Sequence, residues 1–151
     1  MQSSMSESAA TTRAAVEEIK TRREQAFHAR DAEALAADYA DECVVESPMA
    51  GTLEGRLAVE AAYRDLFNAF PDLDFRHDEM IVEGDRVAVL WSMHGSHLGE
   101  LFGFGPTGRS IELNGALIIT LSDGKIVRER RIYDFMGLLI QMGALKAKPA
   151  Y

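Results

Sequence analysis

Glu129, Arg131, Tyr133 and Asp134 lie within one short segment, and with His97 they are the side chains best suited to proton transfer in this sequence. Read as a strand, the segment puts Glu129, Arg131 and Tyr133 on a single face. A carboxyl isolated among apolar groups has its pKa raised and becomes a usable acid, whereas one beside a guanidinium keeps its charge. If Glu129 and Arg131 both point inward, their simplest role is to pair with each other, either for structure or to hold a polar group of a ligand. Other chemistries find little support. No serine sits in a nucleophile-elbow context, and the single cysteine, Cys43, has no evident histidine partner and reads as a small core residue. Of His28, His77, His94 and His97, only the last two are close in sequence, and three apart on a strand they face opposite sides. No metal site and no cofactor are expected. GELFGFGPTG carries glycines without the spacing of a phosphate cradle, and no helix follows it.

The element that must position these groups is a hairpin over residues 109–134, RSIELNGALIITLSDGKIVRERRIYD. Ile111, Leu113, Gly115, Leu117, Ile119 and Leu121 alternate with more polar positions, a period of two with one apolar face. A three-residue connection with Gly124 left-handed would set Leu121 opposite Lys125, Leu117 opposite Glu129 and Gly115 opposite Arg131. Val127, Glu129, Arg131 and Tyr133 then share the apolar face. A two-residue turn at Asp123-Gly124 would shift the register by one and bring in Arg128, Arg130, Ile132 and Asp134 instead. Either way charge reaches an apolar sheet face. That conflict marks a solvated edge strand or a cavity lined by apolar walls and a few orienting polar groups.

Along the rest of the chain, residues 1–12 are small and polar and read as a disordered tail, and 146–151 as a second tail. Between them, 13–145 form one domain. A helix is expected from Arg13 to Ala29, with Val16, Ile19, Arg23, Ala26 and Phe27 at helical spacing. A short helix follows, capped by Asp31, with Leu35 and Tyr39 pointing the same way. Residues 42–47 read as a strand and 49–56 as a loop. A third helix over 57–70 carries Val59, Tyr63, Leu66, Phe67 and Phe70 and stops at Pro71. Strands over 73–83 and 86–97 meet at Gly84-Asp85, and FMGLLIQMG reads as a helix closed by Gly143. The pattern is α+β: a curved antiparallel sheet forming a cone around a pocket, packed with three N-terminal helices on its concave side. Tyr39, Trp91, Leu113, Leu117 and Tyr133 are the expected pocket walls.

Composition narrows the partners. A net charge of −8 argues against nucleic acid and anionic membrane surfaces. No apolar run is long enough to span a bilayer, the first residues lack the pattern of a signal peptide, and one cysteine fits a reducing cytoplasm.

The segments GSHLGELFGFGPTGR and DGKIVRERRIYDFMGLLIQMG, with the earlier order YADECVVESP, EGRLAVEAAY and FPD, closely resemble the SnoaL-like polyketide cyclase family over roughly residues 14–145. The resemblance implies the cone-shaped fold shared with ketosteroid isomerases and nuclear transport factor 2, a homodimer, and a deep apolar pocket for a polyketide- or steroid-like molecule. It implies cofactor-free ring closure by an aspartate acid–base assisted by a histidine. Aligned on GKI and the closing D-F-x-G-x-L-x-Q-x-G, those two positions fall at Arg131 and Leu117. Asp134, Gly137, Gln141, Gly143 and His97 match the family pattern. In a looser alignment to ketosteroid isomerases, the base aspartate falls at Ser47, the helix tyrosine near Arg23 and the oxyanion-hole aspartic acid at Leu117. Three functions follow as expectations: a family enzyme with its chemistry at Glu129, Arg131, Asp134 or His97, a non-catalytic pocket for a small hydrophobic molecule, or an interaction domain with a filled pocket.

Overall fold

Two helices open the fold in the computed structural model, which describes the backbone of residues 2–150 and the side chains of 13–150. The order is α1 (Gln2–Ala29), α2 (Ala32–Ala36), β1 (Tyr39–Ser47), β2 (Gly51–Glu54), α3 (Arg56–Ala69), β3 (Asp74–Glu83), β4 (Arg86–Ser96), β5 (Ser110–Ser122), β6 (Lys125–Tyr133) and α4 (Phe135–Gln141). The tail expected over 1–12 falls outside the described side chains. The α+β class holds, but the helices do not all precede the strands, because β1 and β2 intervene before α3. Residues 51–54, expected as loop, form β2 by pairing antiparallel with β1.

The strands make one open sheet in the order β2-β1-β6-β5-β4-β3. It is mixed rather than wholly antiparallel, since β1 runs parallel to β6. That pairing also removes the edge-strand reading of the charged segment: β6 lies between β1 and β5, hydrogen-bonded on both sides. A charged residue on its inner face therefore has to find its partners inside the protein.

How β6 chooses that face is a matter of two local features. Asp123 and Gly124 form a two-residue turn with φ of 51° and 75°, the left-handed pair that a tight hairpin needs. It sets Ser122 opposite Lys125 and Leu121 opposite Ile126. Continued unbroken, this register would carry Arg128 and Arg130 inward. Instead the next pair is Thr120 with Arg128, so Val127 is an extra residue, a β-bulge. The bulge reverses the parity of the strand. Ile119 then faces Glu129, Leu117 faces Arg131 and Gly115 faces Tyr133. The expected inner set of Glu129, Arg131 and Tyr133 is met, by a different pairing, and Val127 is replaced inside by Ile126. Two inward arginines would have opposed each other, whereas Glu129 and Arg131 neutralise each other. A second bulge, at Asp78 of β3, likewise keeps Phe75 and His77 inward above it and Met80 inward below it.

The helices cover this face. Val16, Ile19, Ala26 and Phe27 of α1 and Val59, Tyr63 and Phe67 of α3 are buried with Val87, Val89, Trp91 and Met93 of β4. Asp31 caps α2 by accepting from the Ala34 N–H at 3.0 Å. His77 is drawn into this core, its side chain only 4% exposed. Burial, with Arg23 and Lys20 nearby, lowers its pKa to about 4. The Glu24 carboxylate, 3.7 Å away and half-exposed, lies beyond hydrogen-bond reach. A histidine whose folded pKa lies below its unfolded value takes up its proton preferentially in the unfolded chain, so stability falls as pH drops from 6.5 towards 4. The expected loss between pH 7 and pH 5 is about 2 kcal/mol from this group. His77→Phe, flanked by the rings of Phe27 and Phe75, should flatten that part of the urea-midpoint profile. An unchanged slope would show that His77 does not carry it.

Candidate functional site

Four elements bring one buried polar chain together. Arg23 comes from α1, its side chain entering on the apolar stripe one turn before Phe27. Tyr63 comes from α3, Tyr39 from the start of β1, and Glu129 and Arg131 from β6. Arg23 Nη2 donates to Tyr63 Oη at 2.6 Å, and its Nη1 to the Leu35 carbonyl at 3.3 Å. The two tyrosine oxygens are 3.1 Å apart. Tyr39 Oη donates to Glu129 Oε1 at 2.7 Å, and Arg131 Nε donates to Glu129 Oε2 at 2.7 Å. Since the Tyr39 proton goes to Glu129, the proton between the tyrosines belongs to Tyr63. The donors from Arg23 Nη2 through Tyr63 and Tyr39 therefore all point towards the carboxylate, an arrangement in which each bond strengthens the next. The guanidinium of Arg131 also lies over the Tyr63 ring, 5.1 Å from its centre, and that of Arg23 lies over Phe27, Tyr39 and Tyr63.

Glu129 is fully buried. Burial pushes its carboxyl up, but Arg131 and then Arg23, with the hydrogen bonds from Tyr39 and Arg131, hold it below the usual carboxylate range. Burial and the adjacent Glu129 raise the Tyr39 phenol. Burial opposes the charge of Arg131, yet the tyrosine oxygens and Glu129 keep it protonated. These groups are fixed in charge at neutral pH and do not shuttle protons there.

Beside this chain lies a small cavity of about 70 Å³. Leu113, Leu117, Trp91, Phe27, Phe75 and Leu138 give it apolar walls, Tyr133 and Met49 line one side, and Arg23 and Arg131 are its charged members. An apolar cavity of about 150 Å³ takes up benzene, and this space is about half that size. Tyr133 is engaged elsewhere: its hydroxyl meets Ser47 Oγ at 3.1 Å and accepts from the Met49 N–H at 3.2 Å. Two buried donors on the wall have no partner, Arg131 Nη2 and Trp91 Nε1.

The residues anticipated from sequence divide accordingly. Trp91, Leu113, Leu117, Arg131 and Tyr133 line the cavity, while Tyr39 and Glu129 stand behind it in the hydrogen-bonded chain. Asp134 and His97 do not join them. Asp134 is exposed and caps α4, accepting from the Gly137 N–H at 2.8 Å. Its carboxylate is committed to a helix end outside the sheet face. His97 is fully buried, but against Phe70 and Thr107, with Nδ1 3.0 Å from Thr107 Oγ1. Arg23 and Tyr63 were missed as site residues. The signal available was an arginine and a tyrosine on otherwise apolar helical stripes. Among the described residues no group of three or more His, Cys, Asp or Glu is placed to hold a metal ion, and no helix is long and apolar enough to cross a membrane.

The comparisons agree with this architecture. IdmH from Streptomyces antibioticus, a putative polyketide cyclase, is 27% identical, with a TM-score of 0.70 over 84% of this chain and 97% of its own. A hypothetical protein with a ketosteroid isomerase-like fold from Catenulispora acidiphila, in complex with trimethylamine, is 17% identical, with a TM-score of 0.70 over 83% and 92%. TerC, co-crystallised with polyporic acid, is 20% identical, with a TM-score of 0.67 over 83% and 96%. The latter two establish likeness of fold alone. No curated protein matches the sequence. The family profile for SnoaL-like polyketide cyclases matches residues 17–142, nearly the whole length from the middle of α1 to the end of α4. With the curved six-stranded sheet and its helical cover, that match is decisive: the chain belongs to the SnoaL-like polyketide cyclase family.

Proposed function

We propose that the chain receives a small hydrophobic, polyketide- or steroid-like molecule in this cavity and anchors one of its oxygens on Arg131. The observation that carries the reading is a buried guanidinium on an apolar wall with Nη2 unpaired. A donor in that state costs about 1–3 kcal/mol unless something accepts from it, and a ligand oxygen does. The family positions for the acid–base pair correspond to Arg131 and Leu117, neither of which moves a proton at neutral pH. Glu129 is locked by Tyr39 and Arg131. The role is therefore binding, without proton transfer by a side chain of the cavity. Ligands of aromatic size require the wall to open, and the unbranched Met49 is its most adaptable member.

A second reading, cofactor-free catalysis, draws support from the pair of unpaired donors. Arg131 and Trp91 both line the cavity and each carries an unpaired donor, the kind of group that stabilises an oxygen gaining negative charge during an enolisation or ring closure. The experiment is a thermal shift against aromatic polyketide esters, steroids and polyporic acid. At about 100 times its dissociation constant a bound ligand adds roughly 2.7 kcal/mol, which raises Tm by roughly 5–10 °C for a chain of this size. Incubating the strongest hit with the protein and following its consumption separates the two readings. Silence across the panel would mean that the chain's own side chains fill the space.

A further inference from the structure

Five residues of the cavity wall are only partly buried: Met49, Leu66, Phe75, Arg131 and Tyr133. They differ in how firmly each is held. Leu66 lies within α3, and Arg131 and Tyr133 lie on β6, which is hydrogen-bonded on both sides. Phe75 lies on β3 and stacks on Phe27, ring centres 4.2 Å apart, and on Trp91 at 5.5 Å. Phe27 and Phe75 also border a surface groove that carries Glu24, His28 and Asp74, so their stack is a second place where the cavity nears the surface. Opening there would separate rings that are held from both faces. Met49 alone of the five belongs to a connection, the turn between β1 and β2.

That turn is lightly attached. Ser47 pairs with Gly51, so residues 48–50 form a short tip, braced from within by the Ala50 N–H on Ser47 Oγ at 3.3 Å. β2 has four residues, lies at the sheet edge and pairs only with β1. Segments with so few buried contacts are the ones that open locally. Among the described residues, one hydrogen bond ties residues 48–50 to another element: the Met49 N–H donates to Tyr133 Oη at 3.2 Å. The same hydroxyl meets Ser47 Oγ at 3.1 Å at the base of the turn. Both bonds are neutral and only part-buried, so water replaces them at small cost. The ring of Tyr133 lines the cavity and stands edge-on to Trp91, centres 6.0 Å apart. One side chain thus walls the cavity and holds the turn that closes it. Resting on the pocket function proposed above, we infer that the tip at residues 48–50 is a lid over the cavity, with Met49 as its plug and the Tyr133 hydroxyl as its latch.

Trp91, the only tryptophan and 4% exposed, reports opening without any ligand. Quenching of its fluorescence lifetime by acrylamide is measured alongside backbone hydrogen exchange, in the wild-type protein and in Tyr133→Phe. The variant keeps the ring and removes the latch. The net worth of one neutral hydrogen bond is a factor of roughly 2–10 in an equilibrium, so the quenching constant should rise by roughly threefold or more. Exchange at residues 49–54 should accelerate with it, while residues 111–121 of β5 keep their wild-type rates. Ser47→Ala, which removes one of the two bonds, should fall between the two proteins. Unchanged quenching in Tyr133→Phe overturns the inference, whatever the exchange does, because a loose turn that admits no quencher is not a lid. Acceleration shared equally by β5 is general loosening and overturns it too. So does a rise in Phe75→Leu with none in Tyr133→Phe, which would put the entrance at the ring stack. None of these readouts uses a ligand, so a silent thermal-shift panel would remove the pocket function without altering them.

Discussion

Glu129→Gln should cost the protein about 3–5 kcal/mol, the range for breaking a buried ion pair from one side. The amide keeps the shape of the carboxylate but not its charge, so Arg131 remains buried without the carboxylate it is paired with. In a chain of this length the loss corresponds to a fall in Tm of roughly 10–15 °C. Urea denaturation at pH 7 measures it directly. Glu129→Leu combined with Arg131→Met should recover most of the loss, because deleting both partners is far cheaper than stranding one. Glu60→Gln, which breaks only the exposed pair with Arg64, is the control and should stay within about 0.5 kcal/mol. If Glu129→Gln proves as mild as the control, the carboxylate is not the hub of the buried chain.

Arg131→Met strands the opposite charge and should change the sign of a pH dependence. In the wild-type protein the folded pKa of Glu129 lies below its ordinary 4.5. Its contribution to stability is complete above the unfolded pKa and is lost as pH falls through the folded one. Without Arg131, burial dominates and the folded pKa rises above the unfolded value. Arg23 reaches the carboxylate only through two tyrosines and does not replace the direct contact. Relative to wild type, the variant should then lose least at acid pH, where the carboxyl is protonated, and lose progressively more as pH rises through the raised folded pKa. At pH 7.5 the deficit relative to wild type should be about 3–5 kcal/mol, and at pH 5 clearly smaller. Because His77 acts alike in both proteins, the difference between the two urea profiles isolates Glu129. A difference that does not vary with pH would contradict the raised carboxyl.

Sequence patterning was sufficient for the family, for the α+β class and for the inner placement of Glu129, Arg131 and Tyr133. Alternation of apolar residues is a local signal, and in β5 it is unbroken. The pairing of β6 was not legible in the same way. Its Asp-Gly turn predicts one parity and its burial another, and only the bulge at Val127 reconciles them. The parallel contact between β1 and β6 joins residues far apart in the chain, which no local period reveals. Asp134 and His97 were misplaced for a related reason. A carboxylate before a short helix serves equally as cap or as acid, and which it becomes depends on where the strand before it ends. Arg23 was visible as an interruption of an apolar stripe, but its partners, Tyr39, Tyr63 and Glu129, converge only in three dimensions.

The bulge at Val127 decides the lining of the cavity as much as any side chain does. Flattening the bulge with Val127 kept in the ladder would invert the strand beyond it, exchanging Glu129, Arg131 and Tyr133 for Arg128, Arg130 and Ile132 with no substitution at any of them, whereas deleting Val127 would leave the inner set as it is. In such a chain a change in where the strand bulges, rather than a succession of point mutations in the lining, is the step that rewrites what the cavity can hold. Lineages that keep the same residue types but shift a bulge can therefore diverge in ligand charge while their aligned sequences look conserved.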